Sequence, residues 1–285
     1  MGPLIAALLL VLAGCGPGRA AAVPTAAPTG ALLPTLMPTP TGLPPPPLAP
    51  PPPLAPPADT GWLAAAPGVE LRELRVAVGG QEAPVSVVRL DPAQVRLSVG
   101  YAPDAPRALS AWAGGAGAVA AINGGFFDAD GRTVALLVQA GQPVGESYTG
   151  QGAMFAVTPE GGVWLRGLAD APYDPAEPVA EALQGWPLLV RGPGEAAYSF
   201  EDGERDRRSA LALDGAGRVL LIAAPTAAFT LRELAEWLAG SDLGVATAVN
   251  LDGGSSTGLI VQSDSAPARI EPFAPLPIVL LALPR

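Results

Sequence analysis

Asn250, Leu251 and Asp252 close the apolar run of TAVNLDGGSSTGLI (residues 247–260) and hand it to a Gly-Gly-Ser-Ser-Thr loop. That order can do chemistry. A strand fixes the carboxylate in place, and glycines directly after it let main-chain amides approach a ligand closely. Asp-Gly between apolar runs is equally a plain hairpin signal, with Ser and Thr as ordinary turn residues. A second stretch has the same design: AVAAIN runs into Gly124, Gly125, Phe126, Phe127 and Asp128. In EDGERDRRSALALD, three arginines precede an apolar segment. Arg205 and Arg207 read as parts of a solvated loop of alternating charge. Arg208 abuts the strand, and if that strand lies beside the one ending at Asp252, its planar guanidinium reaches the same pocket and can grip a phosphate.

What the chain lacks narrows the chemistry further. It has no histidine and no lysine, and its single cysteine, Cys15, lies near the N-terminus. His-assisted triads, cysteine nucleophiles, Schiff-base lysines and His or Cys zinc sites are therefore excluded. Carboxylates, arginines, hydroxyls and amides remain. They suffice for glycoside chemistry and for binding phosphate through guanidinium and amide groups. No metal ligands are assigned, and any bound ion is expected to be a hard one, such as a structural calcium held by oxygens. Residues 61–285 carry 15 arginines against 25 acidic residues, a net charge of −10. That balance excludes nucleic acid as a partner and leaves Arg208 as the centre of a local basic patch for a small anion.

The elements that must position these residues are mostly strands. ELRELRVAV, VSVVRL and QVRLSVG alternate apolar residues and are separated by Gly79-Gly80 and Asp91-Pro92, which predicts an antiparallel meander. PRALSAWAG predicts a short helix, AVAAIN a buried strand, MFAVTPEGGVWL and SALALDGAGRVLLIAA two hairpins, and GWPLLV one more strand. A single helix is well signalled. Thr230 and Glu233 form a capping box, and Leu231, Leu234, Ala235 and Leu238 make one apolar face ending at Gly240. With no repeat evident, the expectation is a single α+β domain over 61–285, built of mixed or antiparallel sheets with several hairpins and few helices.

Ahead of it stand two segments of another kind. Residues 1–14 contain a nine-residue apolar run from Leu4 to Leu12 and end in Leu-Ala-Gly before Cys15, like a bacterial lipoprotein signal in which Cys15 becomes the lipidated first residue. Residues 15–60 are rich in Pro, Ala, Thr and Leu, with no charge between Arg19 and Asp59. Proline fixes φ and removes amide donors, so this segment is expected to be an extended tether, reaching on the order of 100 Å at about 3.1 Å per residue. The expected location is the bacterial cell envelope, after export across the inner membrane, with the membrane as a partner through the lipid on Cys15.

Five segments, in order, resemble the phosphodiester glycosidase family: AINGGFFD, GWPLLVRGPG, RRSALALDGAGRVLLIAA, TLRELAEWLAG and AVNLDGGSSTGLI. The resemblance spans about residues 115–262. It implies hydrolysis of the bond between a sugar's anomeric carbon and phosphate in a carbohydrate phosphodiester; no cofactor is assigned beyond a possible structural calcium. It further implies a pocket lined by Asn123, Gly124, Arg208, Asn250, Asp252, Gly253, Gly254, Ser256 and Thr257. Asp252 would be the catalytic carboxylate, as nucleophile or as base on water, with Arg208 and the loop amides on the phosphate. Asn123 and Asn250 would orient sugar hydroxyls or the carboxylate. Asp128 is a candidate second carboxylate, although DADG is also a hairpin turn. Ser209 stands where the family commonly has Thr, and Ser255 replaces a frequent third glycine. Two other classes share these residue types: a tethered glycan-binding module without catalysis, and a metal-dependent phosphodiesterase.

Overall fold

A computed structural model describes residues 58–285; the signal segment, Cys15 and the tether up to residue 57 lie outside the described residues. The first strands are β1 (Leu63–Ala66), β2 (Val69–Val78), β3 (Gln81–Leu90) and β4 (Val95–Tyr101), followed by helix α1 (Leu109–Ala116) and β5 (Ala120–Asn123). Next come β6 (Leu137–Gln139), β7 (Gln142–Val144), β8 (Ala153–Val157), β9 (Val163–Gly167), β10 (Glu181–Gly185), β11 (Leu188–Gly192) and β12 (Glu195–Ala196). The rest are β13 (Asp206–Asp214), β14 (Val219–Phe229), helix α2 (Leu231–Gly240), β15 (Val245–Asn250), β16 (Leu259–Val261), β17 (Ala268–Ile270) and β18 (Ile278–Pro284).

These strands form three antiparallel sheets. One has eight strands in the order β1-β2-β3-β14-β13-β15-β11-β12, and two have five, β7-β6-β10-β8-β9 and β17-β16-β5-β18-β4. An α+β fold of antiparallel sheets with two helices is what the strand-rich sequence predicts. The main apolar core draws Leu90 and Leu211 from the large sheet, Phe155 and Leu183 from the second, and Ile122 and Leu280 from the third. Helix α2 covers the other face of the large sheet, setting Leu234 and Leu238 against Ile222 and Ala248. Helix α1 does the same for the third sheet, with Leu109 and Ala113 against Ala121 and Val279.

The capping box at α2 forms as the sequence predicts: Glu233 N donates to Thr230 Oγ1 at 3.2 Å, and Thr230 N donates to Glu233 Oε2 at 3.0 Å. The expected meander does not. β2 and β3 pair over their full length, but the other side of β3 is occupied by β14, so β4 has no free edge there. It joins the third sheet instead and pairs with β18. Alternation of apolar residues records that a strand is half buried; it carries no information about which edge that strand finds.

The described chain begins at a clamp. Asp59 accepts from Arg72 Nε at 2.9 Å and Nη2 at 2.6 Å, and Asp242 accepts from the same guanidinium at 2.9 and 3.1 Å. The Trp62 ring lies under the guanidinium of Arg89 at 3.8 Å. Hydrogen bonds from Arg72 and from the Gly61 amide pull the Asp59 carboxyl down to about 2.

Candidate active site

β13 and β15 are neighbours, with Ala210 opposite Asn250, so Arg208 and Asp252 emerge at the same end of the large sheet. The segment after β15 is not a hairpin. β15 belongs to the eight-stranded sheet and β16 to the third, so residues 251–258 carry the chain from one sheet to another. They do so through a single 3-10 turn at Gly254–Ser256. Gly254 has φ of +56°, a left-handed value that a side chain resists, and a Cβ there would sit 3.0 Å from Asp206 Oδ2.

A cleft of about 390 Å³ opens at this crossing, walled by Asp206, Arg208, Asn250, Asp252 and the Gly253–Ser255 backbone on the polar side, and by Phe126, Trp186 and Leu231 on the other. Five residues expected at the site therefore line it: Arg208, Asn250, Asp252, Gly253 and Gly254. Asn123 does not. It is 0% exposed, and both ends of its amide are taken up inside the protein. Nδ2 donates to the Asp252 carbonyl at 2.6 Å and to the Gly124 carbonyl at 3.3 Å, while Oδ1 accepts from Ser209 Oγ at 2.7 Å and from Gly258 N at 3.1 Å. Asn123 is the bracket behind the loop, not a ligand in front of it.

Gly124 also lies beneath the cleft. A side chain there would collide with Ile278, its amide donates to the Ile278 carbonyl, and its carbonyl accepts from Asp252 N at 3.2 Å. Ser256 and Thr257 are buried as well, at 3% and 0% exposure. Asp128 is a second correction. It sits with Phe127, Asp130 and four prolines around a separate hollow, and its Oδ1 accepts from Asp130 N at 3.0 Å and Arg132 N at 2.9 Å. This is a turn aspartate, with its Oδ1 held by its own backbone.

The two adjacent arginines part ways. Arg207, expected in a solvated loop, is 7% exposed and donates to the carbonyls of Pro225, Thr257 and Glu271 while its guanidinium lies 3.9 Å from the Phe273 ring. Strand alternation sends it to the opposite side from Arg208, where it staples the loop. Arg208 faces the cleft, with Nε on the Phe229 carbonyl at 3.1 Å and Nη2 on the Glu204 carbonyl at 2.7 Å. Those two bonds aim the group. Arg205 is tied to Glu233 on the surface.

Burial raises the pKa of two carboxylates among the described residues, Glu181 and Asp252, and Asp252 is the one that lines the cleft. Burial raises its pKa above the ordinary carboxylate value, and the charge of Asp206 adds to the rise; the Ser256 hydroxyl and the Gly253 amide, at 3.0 Å from Oδ1, act against it. Burial also lowers the Arg208 guanidinium, opposed chiefly by Asp206. Beside them, Asn250 is 4% exposed, donates Nδ2 to the Trp186 carbonyl at 2.8 Å, and leaves Oδ1 without a partner among the described residues. Among the described residues no three His, Cys, Asp or Glu side chains gather where they could hold a metal ion.

Sequence reasoning missed Asp206, Trp186 and Phe126. For Asp206 a signal existed: it stands two residues before Arg208, and two residues is the same-face repeat of a strand. Trp186 and Phe126 carried none, since their approach depends on β10 and β5 ending side by side.

A cleft of carboxylate, guanidinium and amide groups, on antiparallel sheets, is the equipment of a glycosidase-type hydrolase. The model of the phosphodiester glycosidase family matches residues 116–281, and the chain belongs to that family. Its fold is similar to that of zebrafish N-acetylglucosamine-1-phosphodiester alpha-N-acetylglucosaminidase, a catalytic domain auto-inhibited by its pro-peptide. The TM-score is 0.61 at 21% identity, covering 77% of this chain and 85% of that one. A hypothetical protein from Synechocystis is also similar, with a TM-score of 0.58 at 18% identity, covering 76% of this chain and 62% of that one. No curated protein matches the sequence.

Proposed function

We propose that the protein hydrolyses the glycosyl–phosphate bond of sugar-1-phosphodiesters, releasing a free sugar and a phosphomonoester. The observation that carries this reading is the shared cleft of Asp252 and Arg208: a carboxylate raised by burial and an aimed guanidinium line the same space. The zebrafish relative's name gives N-acetylglucosamine as the first sugar to test.

The chemistry needs few groups. A phosphate ester is a good leaving group near neutral pH, so the departing oxygen requires stabilised charge more than a proton. Arg208 supplies that charge next to the Gly253–Ser255 backbone, and Asp252 acts at the anomeric carbon as nucleophile or as base on the attacking water. When the bond to C1 breaks, its electron pair leaves on the phosphate oxygen facing Arg208. On the base route Asp252 takes the proton of the attacking water itself; Asp206, in the same cleft, acts on Asp252 through its charge. The anomeric configuration of the released sugar separates the two roles of Asp252: retention requires a glycosyl-enzyme, inversion a single displacement.

The test is product analysis on an N-acetylglucosamine-1-phosphodiester. Free sugar plus phosphomonoester supports the reading; a sugar phosphate would mean P–O cleavage, and no product at all would mean a binding module. We also propose that the chain is held at the bacterial envelope through lipid on Cys15, a reading supported by the residues around Cys15 alone. Cys15→Ser should shift the protein from the membrane to the soluble fraction; unchanged fractionation and lipid labelling would remove the anchor.

A further inference from the structure

The cleft has an apolar neighbour. Phe126, Phe127, Val134, Tyr148, Gln151 and Trp186 surround a hollow of about 400 Å³, and Phe126 and Trp186 are walls of both spaces. No charged side chain lines it, and Val134 is 53% exposed. Its aromatic and aliphatic lining adjoins the polar cleft directly, through the two shared walls. The hollow is also built rather than floppy, because one strand end anchors three of its walls. The buried Gln184 of β10 accepts from Tyr148 N at 2.9 Å and donates to Ser147 Oγ at 2.7 Å, which fixes the loop carrying Tyr148 and Gln151. The Gln184 carbonyl lies so close to Gly125 that a Cβ there would sit 2.5 Å away, which seats the Phe126–Phe127 elbow. β10 then ends at Gly185, directly before Trp186.

Resting on the glycosyl–phosphate reading, we infer that this hollow receives an aliphatic chain on the far side of the phosphate, so that the substrates are lipid-type sugar-1-phosphodiesters. The polar cleft, with Asp206, Asp252, Asn250 and Arg208, can satisfy a sugar and a phosphate. The hollow's lining side chains offer the Gln151 amide, the Tyr148 hydroxyl and the Trp186 indole N–H, too few partners for the several hydroxyls of a second sugar, whose unpaired burial is costly. An alkyl chain has no such requirement and gains from leaving water.

Isothermal titration of n-alkyl phosphates, from methyl to decyl, into the full chain tests this, since these are products of the proposed reaction and are not consumed. Kd should fall about two- to fourfold per added methylene and then level off as the hollow fills. Val134→Asp, a substitution at an exposed position outside the catalytic groups, should flatten that series while leaving methyl phosphate binding unchanged. A flat series in the native protein, a series unaltered by Val134→Asp, or glucose 6-phosphate binding more tightly than octyl phosphate would overturn the inference. The underlying reading fails differently: methyl phosphate would not bind and no sugar would be released, whatever the slope of the series.

Discussion

Two elbows of this protein begin alike and end in different uses. β5 ends in Asn123 before Gly124; β15 ends in Asn250, two residues before Asp252 and Gly253. Asn123 spends both ends of its amide on four internal hydrogen bonds, one of them to the carbonyl of Asp252 itself. Asn250 leaves an oxygen unpaired beside the cleft, and the segment after it supplies the acid. Similar residues can therefore be either the bracket or the working part of one site, and the difference lies in depth. The first elbow is packed under the second, at the crossing from one sheet to another.

The sharpest way to break the comparison is Asp252→Asn. Turnover should fall about 10³-fold, since each 1.36 kcal/mol of lost transition-state stabilisation is tenfold in rate. Folding should survive. Because burial raises the pKa of Asp252 above its unfolded value, the ionised group costs stability once pH has risen through that interval. At neutral pH the Asn variant should therefore melt at the same temperature or higher. A folded variant with native turnover would dismiss Asp252 as the catalytic carboxylate.

Asn123→Ala should show the opposite profile. It strands the Ser209 hydroxyl, the Gly258 amide and the Asp252 carbonyl, at about 1–3 kcal/mol for each buried group left unpaired. For a domain of this size the expected loss of about 3 kcal/mol or more lowers Tm by about 6–12 °C. Equal melting temperatures in calorimetry would contradict the bracket role.

Arg208→Lys keeps a charge but loses the donors that hold the group on the Phe229 and Glu204 carbonyls. KM for a phosphodiester should rise about tenfold, with a smaller fall in kcat; unchanged steady-state constants would move phosphate binding elsewhere. Asp206→Asn sharpens the electrostatic claim. It removes a negative neighbour that raises Asp252, so the acid limb of the kcat/KM profile should move to lower pH. An acid limb that stays put, or moves up, would show that the two carboxylates do not interact. The smallest effect belongs to Thr230→Ala, which loses the α2 cap at about 1 kcal/mol and should leave turnover unchanged, as thermal melts and initial rates would show.

Much of the fold is written locally. The α2 cap, the β8–β9 and β13–β14 hairpins and the strand ending at Asn250 all follow from periodicity and turn residues within a few positions. What was not legible depends on edges. β4 joins the third sheet because β14 already occupies the free edge of β3. Arg207 is buried because residues 257 and 271 come to it from beyond the next strand. At the site, Asp252 and Arg208 could be read because each stands at the end of a strand. The depth of Asn123, and the isolation of Asp128 in its own turn, are properties of neighbours far away in sequence.

The Asp59–Arg72–Asp242 clamp has a mechanical side. Asp59 stands four residues ahead of β1, where the backbone already meets β2: Arg75 N donates to the Ala58 carbonyl at 2.7 Å and Thr60 N to the Glu73 carbonyl at 3.1 Å. Behind it lies β1, a four-residue edge strand that pairs with β2 and takes two further bonds, from Ser263 Oγ to the Ala65 carbonyl and from Ser265 Oγ to the Ala64 carbonyl. An edge strand loaded at one end comes away one hydrogen bond at a time, like a zip. The ion pairs add to those first bonds and extend the tie through Arg72 to Asp242, just after α2. A pull from the N-terminal side would meet those backbone bonds and the two ion pairs together before it reached β1.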